Sequence, residues 1–149
     1  MRAVVQRACG ARVEVAGRVV SEFEGPGLVA LIGVTHDDTE ELARRLAAKI
    51  HDLRIFEVRH ASPTHGSERP EAVTADGSDS SRELSASDLG LPVIVVSQFT
   101  LYGDTRKGRR PSWTGAATGP VAEPLVAAVV DELVRRGTRV GTGVFGADM

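Results

Sequence analysis

Cysteine is almost absent from this chain: with Cys9 alone no internal disulfide can form, and no Cys/His pair stands at the spacing of a structural zinc site. No metal or other cofactor is expected, and a reducing cytoplasm fits. No apolar run approaches the length of a bilayer span, and Met1–Arg7 lacks the apolar stretch of a secretory signal. The chain reads as cytosolic, with no membrane partner. An excess of one charge is also missing: 18 Lys+Arg face 20 Asp+Glu, net -2, so any affinity for nucleic acid must be local. What is present, 149 residues with 42% hydrophobic and 26% charged, suits one domain over residues 1–149 with a real core and no internal repeat.

Alternation over residues 2–7 and 12–15, Ala16-Gly17, and a return through residues 18–23 predict a strand followed by a hairpin. Gly25-Pro26-Gly27 reads as a turn, and Leu28–Val34 is too continuously apolar to face water, so it is expected to be a central strand. Asp38 and Glu41 have capping-box spacing before Leu42, Leu46, Ile50 and Leu53, which predicts a helix over 38–52 with those leucines packed. Strand character returns at 54–58. Residues 59–82 are Ser, Pro, Gly, His and charge with too little apolar surface to offset their ordering, so a mobile surface insertion is expected. His60 and His65 fall there, but an unstructured polar loop does not preorganise metal ligands.

A strand over Leu91–Tyr102 comes next, then a basic loop. Pro120 and Pro124 mark the first turn of a helix striped by Leu125, Val129 and Leu133, closed by Arg135-Arg136-Gly137 before a strand at 138–142. Two main helices for at least six strands are too few for parallel crossovers throughout, which predicts an α+β domain of largely antiparallel sheet.

The chemistry concentrates at Ser97-Gln98-Phe99-Thr100-Leu101-Tyr102, where a buried strand ends in hydroxyls and an amide just before Asp104-Thr105-Arg106-Lys107-Gly108-Arg109-Arg110-Pro111. Strand alternation would turn Ser97 and Phe99 one way and Gln98 and Thr100 the other. One reading makes this a pocket floor whose hydroxyl or N–H groups meet a reacting carbonyl; the plain alternative is a strand end whose hydroxyls satisfy nearby backbone. A serine-protease-like triad has no support, since His36 and His51 flank a helix and no glycine-elbow motif surrounds any serine. Arg106, Lys107, Arg109 and Arg110 can grip phosphates while Trp113 stacks on a base, although a four-cation loop alone is more often just a solvated turn. Side by side, the two signals point to an enzyme acting on nucleic acid or a phosphorylated substrate.

Met1–Arg7, Gly33–Thr39, Leu53–Phe56, Ser97–Tyr102, Thr105–Pro111 and Phe145–Met149 closely resemble, in order and over nearly the whole chain outside 59–82, the D-aminoacyl-tRNA deacylases. The resemblance implies hydrolysis of the ester between a D-amino acid and the 3′-terminal adenosine of tRNA, and of misattached glycine, by a cytoplasmic homodimer of barrel-like sheets without a metal. tRNA is then the partner, and no DNA is expected. By resemblance, Ser97, Gln98, Phe99 and Thr100 form the catalytic segment, with backbone N–H groups holding the ester carbonyl and Thr100 a candidate nucleophile. Phe145 and Met149 correspond to positions beside the terminal adenine, Ala116 and Ala117 to a small-residue pocket wall, and Arg7 to an arginine bracing the chirality-selecting loop of the partner subunit. The family commonly has Asn where this chain has Glu83 before Leu84-Ser85. Its members continue beyond the Gly-Ala-Asp-Met motif with an Asn-x-Gly-Pro-x-Thr strand that excludes L-aminoacyl esters. Because this sequence stops at Met149, the expectation is a shortened form of the working enzyme, less stable and poorly stereoselective. The alternative function is a tRNA-end-binding or dimerising relative with impaired catalysis.

Overall fold

The structure is a computed structural model that describes residues 1–57, 83–106 and 109–148. The expected insertion at 59–82 lies outside the described residues. Two long strands, β1 (Arg2–Val15) and β2 (Arg18–Gly33), pair antiparallel through the two-residue turn Ala16-Gly17, whose φ values of 49° and 76° are those of a hairpin turn matched to strand twist. Gly25-Pro26-Gly27 is not the turn its composition suggested. The strand runs through it, and the register shifts between Cys9/Ala11 on one side and Pro26/Phe23 on the other. Gly10 (φ 85°) and Gly25 (φ 71°) supply the left-handed backbone of this irregularity.

Helix α1 (Glu40–Asp52) is followed by β3 (Arg54–Phe56), β4 (Leu84–Ser85), the short α2 (Ala86–Leu89), β5 (Val93–Ser97), a 3₁₀ turn (Phe99–Tyr102), α3 (Gly119–Arg135) and β6 (Val140–Thr142). The main sheet has the order β1-β2-β5-β6, and β3-β4 form a separate pair. Here the expectation of largely antiparallel sheet is corrected: β5 lies parallel to both β2 and β6. Counting helices against strands misled because β3 and β4 are short and sit apart, so the main sheet needs only two crossovers, one carrying α1 and one carrying α3.

Both long helices lie on one face of that sheet. Leu28, Ala30, Ile32, Val93 and Val95 pack there against Ala43, Ala47 and Ile50 of α1 and Ala122, Val129 and Leu133 of α3. The packed stripe of α1 is thus alanine-rich and one position beyond the leucines expected, with Leu42 exposed and Leu46 half-buried. Its cap is Thr39, whose side chain accepts from the Leu42 N–H, while Asp38 is drawn away to the Thr35 N–H and the chain's amino terminus. In α3, Pro120 occupies the first turn as read, but Pro124 stands a turn further in. Gly137 (φ 86°) follows the helix as expected.

The opposite face of the sheet is covered by the chain's own hairpin. Phe23, Ile94 and Val96 form a second cluster with Val13, Val29 and Leu31. Ser21 Oγ donates to the Thr142 carbonyl (2.6 Å) and accepts from the Thr142 N–H (2.8 Å), so the arm reaches β6 through a side chain rather than a ladder. The sheet therefore folds over itself without closing into a barrel.

On α3, Glu132 is buried and receives Arg135 Nε (2.8 Å), Arg135 Nη2 (2.6 Å) and Arg136 Nε (2.7 Å). Hydrogen bonds from Arg135, then Arg136, lower its pKa from 4.5 to about 2. A carboxyl depressed on folding stabilises the native state above its unfolded pKa and loses that contribution as pH falls through the folded value. Glu132→Gln is thus expected to lower the urea midpoint at pH 7 and to converge with the parent as pH drops from 4.5 towards 2. An equal deficit at both ends would remove ionisation as the cause.

Candidate active site

Ser97 is the last residue of β5, and the Gln98 N–H continues the ladder by donating to the Ile32 carbonyl at 2.7 Å. The strand then stops. Gln98 (φ −142°, ψ 90°) turns the chain into the 3₁₀ turn, so the alternation expected to run through Tyr102 ends at Ser97. Gly33 permits this: a Cβ there would stand 2.9 Å from Leu101 Cβ and 3.2 Å from the Gln98 carbonyl oxygen.

The turn has a chemical consequence. The Leu101 N–H returns to the Gln98 carbonyl (3.3 Å) and that of Gly103 to Thr100 (3.0 Å), whereas the N–H groups of Phe99 and Thr100, first in the turn, have no acceptor among the described residues. A cavity of about 630 Å³ is lined by Ser97, Gln98 and Phe99, so the first of these two donors belongs to a cavity-lining residue and the second to the residue that follows it. Thr100 does not line that cavity. Its hydroxyl oxygen accepts from the Gln98 side-chain amide, a donor that cannot take a proton from it.

The far walls come from elsewhere in the sequence. Ala117 lines the cavity, held by its N–H on the Val34 carbonyl (2.9 Å), while Ala116 lies just outside, bonded to the Trp113 carbonyl (3.0 Å). Phe145 projects beside Gly119, where a Cβ would meet its ring at 3.6 Å, and it too lines the cavity. Met149 lies outside the described residues. Arg7 is not brought to this cavity: it is exposed on β1, donating to the Ile55 carbonyl (2.8 Å) in a separate groove with Glu57 and Glu83.

Reading the sequence missed Arg12 and Glu14, which form an ion pair (2.9 Å) on the hairpin arm and line the cavity, and Asp148, which lines it from the end of the described chain. Their alternation on β1 marked them as exposed, but only the fold of the hairpin brings them here. Among the described residues no histidine lines the cavity; His36 Nε2 meets the Thr114 carbonyl (2.9 Å) and His51 pairs with Asp52 (2.9 Å) on α1. No cluster of His, Cys, Asp or Glu suited to a metal occurs among the described residues.

The basic loop is closed at its base by two backbone hydrogen bonds between Asp104 and Ser112 (2.8 and 2.9 Å). Arg106 is bound bidentately to Asp104 (2.9 and 2.7 Å), and these bonds pull the Asp104 pKa down to about 2. Arg106 is therefore neutralised locally. Arg109 and Arg110 are exposed, with no carboxylate partner among the described residues, and Lys107 lies outside those residues.

Comparison with known proteins agrees with this architecture. A solved structure described as "c-Myc DNA Unwinding Element Binding Protein" superposes with a TM-score of 0.76 at 30% identity, covering 99% of this chain and 87% of that one. Another, "Structural Analysis of a probable eukaryotic D-amino acid tRNA deacylase", gives 0.75 at 18% identity, covering 98% of this chain and 89% of that one, and supports the fold alone. Proteins named D-aminoacyl-tRNA deacylase from Acidothermus cellulolyticus and Thermobifida fusca are 53% and 52% identical over all of this chain, which spans 88% and 89% of their lengths. The sequence model for D-Tyr-tRNA(Tyr) deacylase matches residues 4–149, and with that match and those identities the chain belongs to the D-Tyr-tRNA(Tyr) deacylase family.

Proposed function

We propose that the N–H groups of Phe99 and Thr100 hold the ester carbonyl oxygen in this D-aminoacyl-tRNA deacylase, which hydrolyses the ester between a D-amino acid and the terminal adenosine of tRNA. The single observation carrying this assignment is that pair of adjacent N–H groups without an acceptor among the described residues, the first of them on a cavity-lining residue. With the ester carbonyl against them, they stabilise negative charge as it develops on oxygen, where preorganised donors contribute most to rate. Gln98 is excluded from the pair because its N–H is already spent on Ile32.

The attacking group is water, positioned by the 2′-hydroxyl of the terminal adenosine. Attack forms a C–O bond to the carbonyl carbon and a tetrahedral oxyanion. Collapse breaks the ester bond, and the departing 3′-oxygen takes up the proton that water gives up, leaving free amino acid and tRNA. Ser97 and Gln98 support the cavity edge, Ala117 with Ala116 behind it keeps the wall small, and Phe145 with Met149 flanks the adenine. The same route removes glycine, which has no side chain to be refused.

Arg109 and Arg110 are the available phosphate contacts of the basic loop, with Lys107 between them and Arg106. Arg7, exposed and away from the cavity of its own chain, braces a second copy in a cytoplasmic homodimer. Arg109→Ala with Arg110→Ala is expected to lower the slope of log Kd for tRNA against log salt by about one to two, whereas Arg106→Ala moves it less because Asp104 already compensates that charge. Equal changes from both would place Arg106 on phosphate too. The function itself is tested by release of D-tyrosine from D-Tyr-tRNA under the purified protein: acceleration over the enzyme-free rate is expected, and tRNA binding without turnover would reduce the protein to a binding relative.

A further inference from the structure

The chain has one Trp, one Tyr and four Phe, and two of these six rings, Phe99 and Trp113, meet just after β5. Phe99 and Trp113 stand edge to face, centroids 5.4 Å apart at 79°, and Arg2 lies over the Tyr102 ring at 4.4 Å. Phe99 is 57% exposed and Trp113 42% exposed, a costly placement for large apolar side chains. Trp113 is nevertheless fixed. It follows Ser112, which is paired to Asp104, and begins the turn closed by the Ala116 N–H. The next residues are pinned by Thr35 Oγ1 on the Gly115 carbonyl (2.7 Å) and by His36 on Thr114. Its indole rests on Gly103, where a Cβ would lie 2.5 Å from the ring.

A rigid, wetted indole therefore touches Phe99, a ring at the cavity, and stands three residues beyond Arg110 on the same loop. We infer that Trp113, set by Gly103 and Phe99, is a stacking platform for an unpaired base of the acceptor end upstream of the terminal adenosine. An exposed aromatic face next to arginines without a carboxylate partner among the described residues is what single-stranded RNA requires: a π-surface for the base and cations for the flanking phosphate. The inference rests on the deacylase reading of the cavity and adds the nucleotide class held outside it.

Because Trp113 is the only tryptophan, its own emission reports the contact. Titration with a single-stranded RNA tetranucleotide ending in CCA is expected to quench that emission saturably, and Trp113→Ala to weaken the same oligonucleotide, followed by a fluorescent end label, by about 5- to 100-fold. Trp113→Phe, which keeps a ring, is expected to recover most of the binding. Hydrolysis separates the platform from the cavity. Trp113→Ala should raise KM for D-Tyr-tRNA about 5- to 100-fold, and reduce hydrolysis of 3′-D-tyrosyl-adenosine, which has no upstream base, by a much smaller factor. Equal losses on both substrates would make Trp113 part of the cavity and overturn the inference. So would unquenched emission, or dissociation of an oligomer by Trp113→Ala with RNA affinity intact. The deacylase reading fails separately, if the parent protein cleaves neither substrate.

Discussion

D-Tyr-tRNA ending in 2′-deoxyadenosine is expected to be cleaved about 10²- to 10³-fold more slowly than the normal substrate, while Thr100→Ala retains activity within about threefold. The asymmetry follows from what surrounds each hydroxyl. Thr100 is exposed, does not line the cavity, and its oxygen faces the Gln98 amide, which donates and cannot serve as a base. A hydroxyl without a base is a poor nucleophile near neutral pH. The adenosine 2′-hydroxyl is adjacent to the ester in the substrate itself and costs no search for position. Rapid-quench kinetics on the two substrates and the Thr100→Ala protein measure both effects. A trapped aminoacyl ester on Thr100, or a deoxy substrate cleaved at full rate, would assign the nucleophile to the protein.

Ala117 and Phe145 were reached only through the family resemblance, whereas the strand end at Ser97 was legible because polar residues interrupt an otherwise apolar strand there. The central strand 28–33, the two long helices and the glycine after α3 were legible for the same reason: strong period or strong punctuation. Three features were not. Gly25-Pro26-Gly27 carries turn chemistry but sits opposite Gly10, and two facing irregularities let a long hairpin bend without ending. Arg12 and Glu14 are read as solvent-facing by alternation, which sees one strand at a time and not the fold of the hairpin over the sheet. The 3₁₀ turn was invisible because Phe99-Thr100-Leu101-Tyr102 has good strand propensity; it is set by contact with Gly33, sixty-six residues earlier in the chain.

That contact makes Gly33→Ala a small substitution with a large expected effect on the turn. The added methyl would lie 2.9 Å from Leu101 Cβ, 3.2 Å from the Gln98 carbonyl oxygen and 3.2 Å from Tyr102 Cδ2. The first two cannot swing aside as the end of a long side chain could, since they belong to the turn's own frame. Either β2 or the turn must move. β2 is held on both sides, by β1 and β5, so the displacement falls on the turn and on the two N–H groups it presents. Overpacking of this size costs about 1–3 kcal/mol of stability, which a domain of this length can absorb while remaining folded. The catalytic cost is larger, because a shift of order 1 Å in a positioning group lowers rate about 10²-fold. Gly33→Ala is therefore expected to show a cooperative melt a few degrees lower, tRNA affinity close to the parent through Arg109 and Arg110, and kcat for D-Tyr-tRNA reduced about 10²-fold. A folded Gly33→Ala protein with parental kcat would show that the donors of Phe99 and Thr100 are not the groups that hold the ester carbonyl.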